Sequence, residues 1–364
     1  MRRSRRGTVD IMEVLDRYVL IGLSTMNDLE TIQKRFPGIS CAYRDIAGTV
    51  TTKCFGFADK EANVPVDENT AFPACSISKF ITAICVMKEY EQGHIDIDKP
   101  INFYLRKWKF LTPSGNESAA PLRSFLSHTS GIIDGEDGFY GLRRSDPPVS
   151  LLDVLDGKTS YNNRPALENN PYGTEFEYSD AGFCVLQILL EDLKQKPFEV
   201  IAYESVFRPL SLNNTFFASL ANLSLYEQKN IMATGYDENG QVIPGKYPQM
   251  PDLAASGLWS TPKDLLVIAK EFTKACNGDG ALLQAKTAME MATPSERFPW
   301  AGLGVFMDGE NKLSISGWGE NGQSRLKFNY RTGEAAVVMV NRNPGVEQSE
   351  SGVEWLINNG LAVE

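Results

Sequence analysis

Apolar side chains along this chain follow two different spacings, and each spacing predicts its own kind of element. From Gly38 to Tyr43 and from Gly48 to Phe57, β-branched and aromatic residues surround a turn, which predicts a hairpin. From Ser76 to about Gln92 the spacing becomes helical. Phe80, Ile81, Ile84, Cys85 and Met87 form one face, Lys88 and Glu91 sit at its edge, and Gly93 supplies a stop. Upstream, Glu13, Asp16 and Arg17 interrupt Ile11–Leu23, so that stretch reads as an amphipathic helix rather than a signal peptide.

The texture then changes. Leu122–Ser127, Ser150–Leu155, Ala181–Lys194 and Phe198–Phe207 read as helices joined by loops rich in Pro, Gly and Asn. Ser260–Cys276 reads as a further helix, because Ser-Thr-Pro-x-Asp is a strong helix start. Strand-like runs follow at Leu303–Met307, Lys312–Ile315, Ser324–Tyr330 and Ala335–Asn341, with a last helix from near Gly352. Strands at both ends with helices between them predict an α/β (α+β) fold, with an antiparallel sheet flanked by helices. Residues 1–100 and 251–364 would form the sheet domain, and 101–250 a mostly helical insertion.

Composition narrows the function. The 364 residues carry a net charge of −10 and include six cysteines and two histidines. An acidic chain of this kind is not expected to bind nucleic acid, and Arg2-Arg3-Ser4-Arg5-Arg6 reads as a solvated tail. No run reaches the eighteen or more apolar residues of a membrane helix. The cysteines form no C-x-x-C pair and read as buried free thiols, which suits a cytoplasmic location. No H-E-x-x-H, P-loop or dinucleotide fingerprint appears, so neither a metal nor a cofactor is expected. G-x-S-x-G is also missing.

The stretch Ala74-Cys75-Ser76-Ile77-Ser78-Lys79-Phe80 is chemically suggestive. Residues three apart on a helix face the same way, so Ser76 and Lys79 can meet. A helix N-terminus favours developing negative charge. A lysine desolvated among Ile77, Phe80 and Ile81 would have a lowered pKa and could activate the serine in place of a histidine. On its own, S-x-x-K more often marks a capped helix with a solvated lysine.

Four further motifs accompany it: Leu-Ser-His-Thr-Ser-Gly at 126–131, Tyr178-Ser179-Asp180, Ala-Ser-Gly-Leu-Trp-Ser-Thr-Pro-Lys-Asp-Leu at 255–265, and Gly317-Trp318-Gly319-Glu320-Asn321-Gly322 between two strand-like runs. With these in order, the chain from about Ile39 to Asn341 resembles the S-x-x-K serine hydrolases. That group comprises class C β-lactamases, D-alanyl-D-alanine carboxypeptidases, D-aminopeptidases and related esterases. The resemblance implies a β-lactamase/transpeptidase-like fold and a covalent acyl-enzyme. Ser76 would be the nucleophile, with Lys79 and Tyr178 moving protons. The substrate would be a small ester, amide or short D-amino-acid peptide. A true β-lactamase or D,D-carboxypeptidase, and a catalytically weak penicillin-binding-like protein, are the alternatives. His128 is expected to be structural. Oligomeric state is left open.

Two departures stand out. The family's Tyr-x-Asn is Tyr178-x-Asp180, and a carboxylate there would hold Lys79 protonated and suit a substrate bearing a positive amine. The third motif, usually Lys-Thr-Gly or His-x-Gly, falls on Ser316-Gly317-Trp318 or on Trp318-Gly319-Glu320. Neither supplies a cation, which implies weak recognition of carboxylates. Asp180, Ser316, Gly317, Trp318 and Gly319 are therefore the expected substrate contacts. The oxyanion would be held by the N–H of Ser76 and one near Trp318 or Gly319. Arg331-Thr332-Gly333 reads as a hairpin turn.

Overall fold

The computed structural model describes residues 29–136, 138–229 and 232–359. The expected Ile11–Leu23 helix and the arginine-rich tail lie outside the described residues. The first hairpin forms as expected. Strand β1 (Gly38–Arg44) pairs antiparallel with β2 (Val50–Asp59), with Ile39 opposite Phe55. Asp45 closes the turn by accepting the N–H of Thr49 at 2.8 Å.

Strands β3 (Val64–Pro65), β7 (Phe306–Met307), β8 (Lys312–Gly319), β9 (Gly322–Asn329) and β10 (Ala335–Val340) complete a seven-stranded sheet in the order β3-β2-β1-β10-β9-β8-β7. The N- and C-terminal parts of the chain join at its centre, where Ile39 lies opposite Val340. The period-2 alternation of strand side chains assigns each residue to a layer. Ala42, Leu326, Val337 and Met339 pack against the helices Ile77–Glu91 and Pro262–Cys276. Cys41, Tyr43, Val338 and Val340 pack on the other face with Ile32 and Leu356, from the helices Leu29–Arg35 and Val353–Asn359. The result is a sheet between two helical layers.

The central segment holds short helices at Leu122–Leu126, Leu151–Leu155 and Phe198–Ala202, and a long one at Asp180–Lys194. Ser179 starts the long helix by accepting the N–H of Gly182 at 2.9 Å, and Thr261 does the same for Pro262–Cys276 through Asp264 at 3.1 Å. The helix expected over Phe198–Phe207 continues past Ala202 as a π-helical turn, Tyr203–Phe207.

Two differences from expectation have local causes. The strand expected over Leu303–Met307 is reduced to Phe306–Met307. The N–H groups of Leu303 and Gly304 are taken by Met291 and Leu126 instead, and Gly304 sits at φ 72°. A second sheet of order β4-β6-β5 was not foreseen. Its strands, β4 (Phe72–Cys75), β5 (Phe216–Phe217) and β6 (Leu258–Ser260), are too short to show a period. Strand β4 delivers the chain directly to Ser76. No helix among the described residues is long and apolar enough to cross a membrane.

Candidate active site

Ser76 stands at the corner between β4 and the Ile77–Glu91 helix. Cys75 makes that corner in the left-handed region, φ 50°, which a non-glycine residue adopts at a cost. Ser78 braces it by donating to Cys75 O and accepting the N–H of Leu258 at 2.9 Å. Ser76 is left 8% exposed, at the floor of a cleft of about 550 Å³.

Lys79 is buried, and each of its three N–H groups has an acceptor: Ser76 Oγ at 2.9 Å, Ala255 O at 3.0 Å, and the Asp180 carboxylate. The desolvation expected from the sequence is present and works to lower its pKa. The Asp180 carboxylate, helped by Tyr178, outweighs burial and holds the ammonium form well above an ordinary lysine. Of the two opposed effects read from the sequence, lowering by burial gives way to the carboxylate at position 180, which keeps Lys79 protonated. Lys79 donates to Ser76 and does not accept from it.

Tyr178 lies over Lys79, with the ammonium 4.9 Å from its ring centroid. The ring is 43% exposed to the cleft, while its phenol oxygen lies beside Ser76 and Lys79. Burial of that end raises its pKa; Lys79 pulls it down, and Asp180 pushes it up again. Behind it, His128 stacks on the ring at 4.4 Å and accepts the N–H of Ser179 on Nδ1 at 3.1 Å. Burial and the nearby Lys79 push His128 down to about 3, so it is a neutral structural ring. His94, the other histidine, pairs with Glu89 at 2.7 Å near the end of the Ile77–Glu91 helix.

Two further carboxylates lie close to Asp180. Asp134 accepts the hydroxyl of Ser179 at 2.7 Å and the N–H of Asp180, capping the helix that carries Asp180. Asp252 accepts the hydroxyl of Tyr161 at 2.7 Å, and its other oxygen is buried without a partner among the described residues. Burial, and then repulsion from Asp180, raises both to about 6. Neither was singled out in the sequence.

The other wall is β8. Ser316 and Trp318 line the cleft. Gly317 and Gly319 turn the opposite way, against the corner that holds Ser76. A Cβ on Gly317 would come within 2.3 Å of Ala74 O and 2.2 Å of Ser324 Oγ; one on Gly319 would come within 2.9 Å of Cys75 Sγ. The Ser324 hydroxyl bonds Ala74 O at 2.7 Å, clasping β9 to β4 two residues before Ser76. Gly317→Ala should break this clasp and lower stability by about 2–3 kcal/mol, as overpacking of a tight site does. Urea denaturation with a parallel activity assay checks this, and activity should fall along with stability. Glu320 is drawn away from the cleft by Arg143 and the N–H of Gly141. Arg331-Thr332-Gly333 forms the β9–β10 turn, with Asn329 Oδ1 accepting from Arg331 and Thr332.

The Beta-lactamase family model matches residues 14–357, nearly the whole chain. The chain belongs to the β-lactamase family. Among curated proteins of similar sequence is the putative penicillin-binding protein PbpX of Bacillus subtilis (strain 168). It is 24% identical over 262 residues, which cover 71% of this chain and 59% of that protein. The chain thus spans about three fifths of the length of that relative. Among solved structures, a D-amino acid amidase from Ochrobactrum anthropi SV3 matches with a TM-score of 0.72 at 20% identity, covering 92% of this chain and 99% of that one. EstCE1, described as a hydrolase with promiscuous acyltransferase activity, matches at 0.70 and 19%, covering 94% and 98%. At these identities the structural matches establish the fold.

Within this β-lactamase-family cleft, a cation also escaped the sequence reading. Arg325 lies directly opposite Ser316 on β9 and lines the same cleft. Among the described residues its Nε is buried without a partner, and its guanidinium has only long contacts, to Gln348 Oε1 at 3.4 Å and Glu354 at 3.8 Å. The third motif contains no cation, but a cation stands one strand away. The hairpin Gly319–Gly322 fixes that pairing. Counting back from it would have found Arg325.

Proposed function

We propose that this chain is a serine hydrolase that forms an acyl-enzyme at Ser76 on a small ester, amide or D-amino-acid peptide. The observation that carries this reading is the 2.9 Å contact between Lys79 Nζ and Ser76 Oγ, in a cleft shared with Tyr178. Ser76 Oγ attacks the carbonyl carbon as its proton passes to the phenolate form of Tyr178, which the Lys79 ammonium favours. The tetrahedral oxyanion is held by backbone N–H groups. On collapse, the bond to the leaving atom breaks and the proton returns to that atom. Water then hydrolyses the ester on Ser76 by the same route.

On the oxyanion hole, the hairpin favours Trp318 over Gly319. In an antiparallel pair, successive residues direct their N–H alternately toward and away from the partner strand. Gly319 and Gly322 close a two-residue turn facing each other, so Ser316 and Trp318 direct theirs to the open edge. Asp180, 24% exposed and lining the cleft, supports a substrate with a positive amine. The D-amino acid amidase of similar fold, solved as a complex with D-phenylalanine, supports the same class by analogy.

A second reading has one specific observation in its favour: an ammonium that donates to Ser76 cannot take its proton. A penicillin-binding-like protein that binds without turnover would show this geometry. Intact mass after exposure to a fluorophosphonate, and separately to benzylpenicillin, divides the two. The expected result is one adduct per chain with the fluorophosphonate, lost in Ser76→Ala. An unlabelled but folded wild type, across mildly acidic to mildly alkaline pH, sinks the hydrolase reading and leaves the binding protein.

A further inference from the structure

One wall of the cleft is aromatic. Phe176, Tyr178, Trp300 and Phe306 all line it. Their rings form a continuous chain of contacts. Phe176 meets Trp300 at 6.0 Å and Phe306 at 6.2 Å, and Tyr178 meets Phe306 at 6.3 Å. Phe298 backs the outer end, 5.7 Å from Trp300 and 6.3 Å from Phe176. Trp300 is 46% exposed, so the wall ends in an open indole. Aromatic surface of this kind, held in edge-to-face order beside a nucleophile, is a ready site for another flat apolar group.

The chemistry decides which half of the substrate it receives. The carbonyl oxygen must point to the N–H groups at Ser76 and on β8. The leaving atom must receive a proton, and Tyr178 carries the hydroxyl placed to give it. The leaving half therefore departs on the Tyr178 side, and that side runs on into Phe306, Phe176 and Trp300. We propose that this wall is a leaving-group subsite, selecting substrates whose alcohol or amine half is aromatic. The inference rests on the acyl-enzyme reading above and adds the identity of the group expelled.

The distinction has a kinetic signature. The leaving half is gone once Ser76 is acylated, so its contacts contribute to acylation and not to hydrolysis of the acyl-enzyme. The test uses benzyl and propyl esters of one acid, whose alcohols are of similar acidity, with acylation and deacylation followed separately in single turnovers. Wild type should acylate faster from the benzyl ester by about tenfold, the scale of one well-placed apolar contact. Trp300→Ala should bring that ratio close to one, and Trp300→Phe should retain most of it. The shared acyl-enzyme should hydrolyse at the same rate in all three proteins. Trp300 sits on an exposed loop, so loss of fold is not the expected consequence, and thermal unfolding checks it.

An active wild type with equal rates on the two esters overturns the subsite. So does a benzyl preference that survives in Trp300→Ala, or a loss that falls equally on deacylation, which would place the wall on the acyl side. Failure of Ser76 to label at all removes the hydrolase reading and this inference with it, a result distinct from an active enzyme without preference.

Discussion

Asp180→Asn should acylate Ser76 faster than wild type at neutral pH, by about tenfold or more. The carboxylate raises both groups able to take the serine proton, Lys79 and Tyr178. Each pKa unit removed from such a base is worth a factor of ten in its reactive fraction near neutrality. The sign follows from the charges. With a negative neighbour, the ammonium and the neutral phenol both persist to higher pH, so wild-type acylation should climb into the alkaline range. With a neutral amide, the same climb should begin at lower pH. An asparagine keeps an oxygen to accept from Lys79, so the anchoring survives. The substitution also removes repulsion from Asp134 and Asp252, both raised in part by Asp180. Single-turnover acylation by a chromogenic ester, followed from about pH 6 to about pH 10, checks this. A variant slower at every pH would mean that Asp180 serves to bind the substrate rather than to restrain the base.

The largest loss should come from Lys79→Met. Methionine fills the stem but leaves Asp180 facing two other carboxylates without a cation. Stranding one partner of a buried pair costs about 3–5 kcal/mol. Asp180 retains some contact with water at 24% exposure, which places the expected cost at about 2–3 kcal/mol. Labelling of Ser76 should fall by about a thousandfold or more, the scale seen when one member of a catalytic unit is removed. Lys79→Met with Asp180→Asn separates the two effects. The double variant should recover most of the urea midpoint and none of the labelling. Recovery of labelling would exclude Lys79 from the chemistry.

The sequence revealed the parts of this site that depend on local spacing. Ser76 and Lys79 lie one helical turn apart, and Tyr178 and Asp180 straddle a capping serine. Pattern and motif order were enough for both. For the charge of Lys79 the sequence named two opposed effects, burial and the carboxylate of Asp180, and only the folded contact between them sets the balance. Ala255 contributes only a carbonyl, which any residue has, so no side-chain motif could mark it. Asp134 acts by capping a helix that begins 46 residues later, a link made only by folding. Arg325 was hidden for another reason: the motif was sought along one strand, while the charge lay across the ladder. In the fold, long strands and long helices were evident, and the two-, three- and four-residue strands of the small sheet were not.

The pairing of β1 with β10 also constrains when this site can exist. A ribosome makes β1 about three hundred residues before its central-sheet partner. Contacts of such separation close slowly and late. Until then β9 is not there to clasp β4, and the corner at Cys75 lacks that support. Until the sheet closes, Ser76 therefore lacks part of the framework that sets its geometry. On the acyl-enzyme reading, its reactivity should appear only with completion of the sheet.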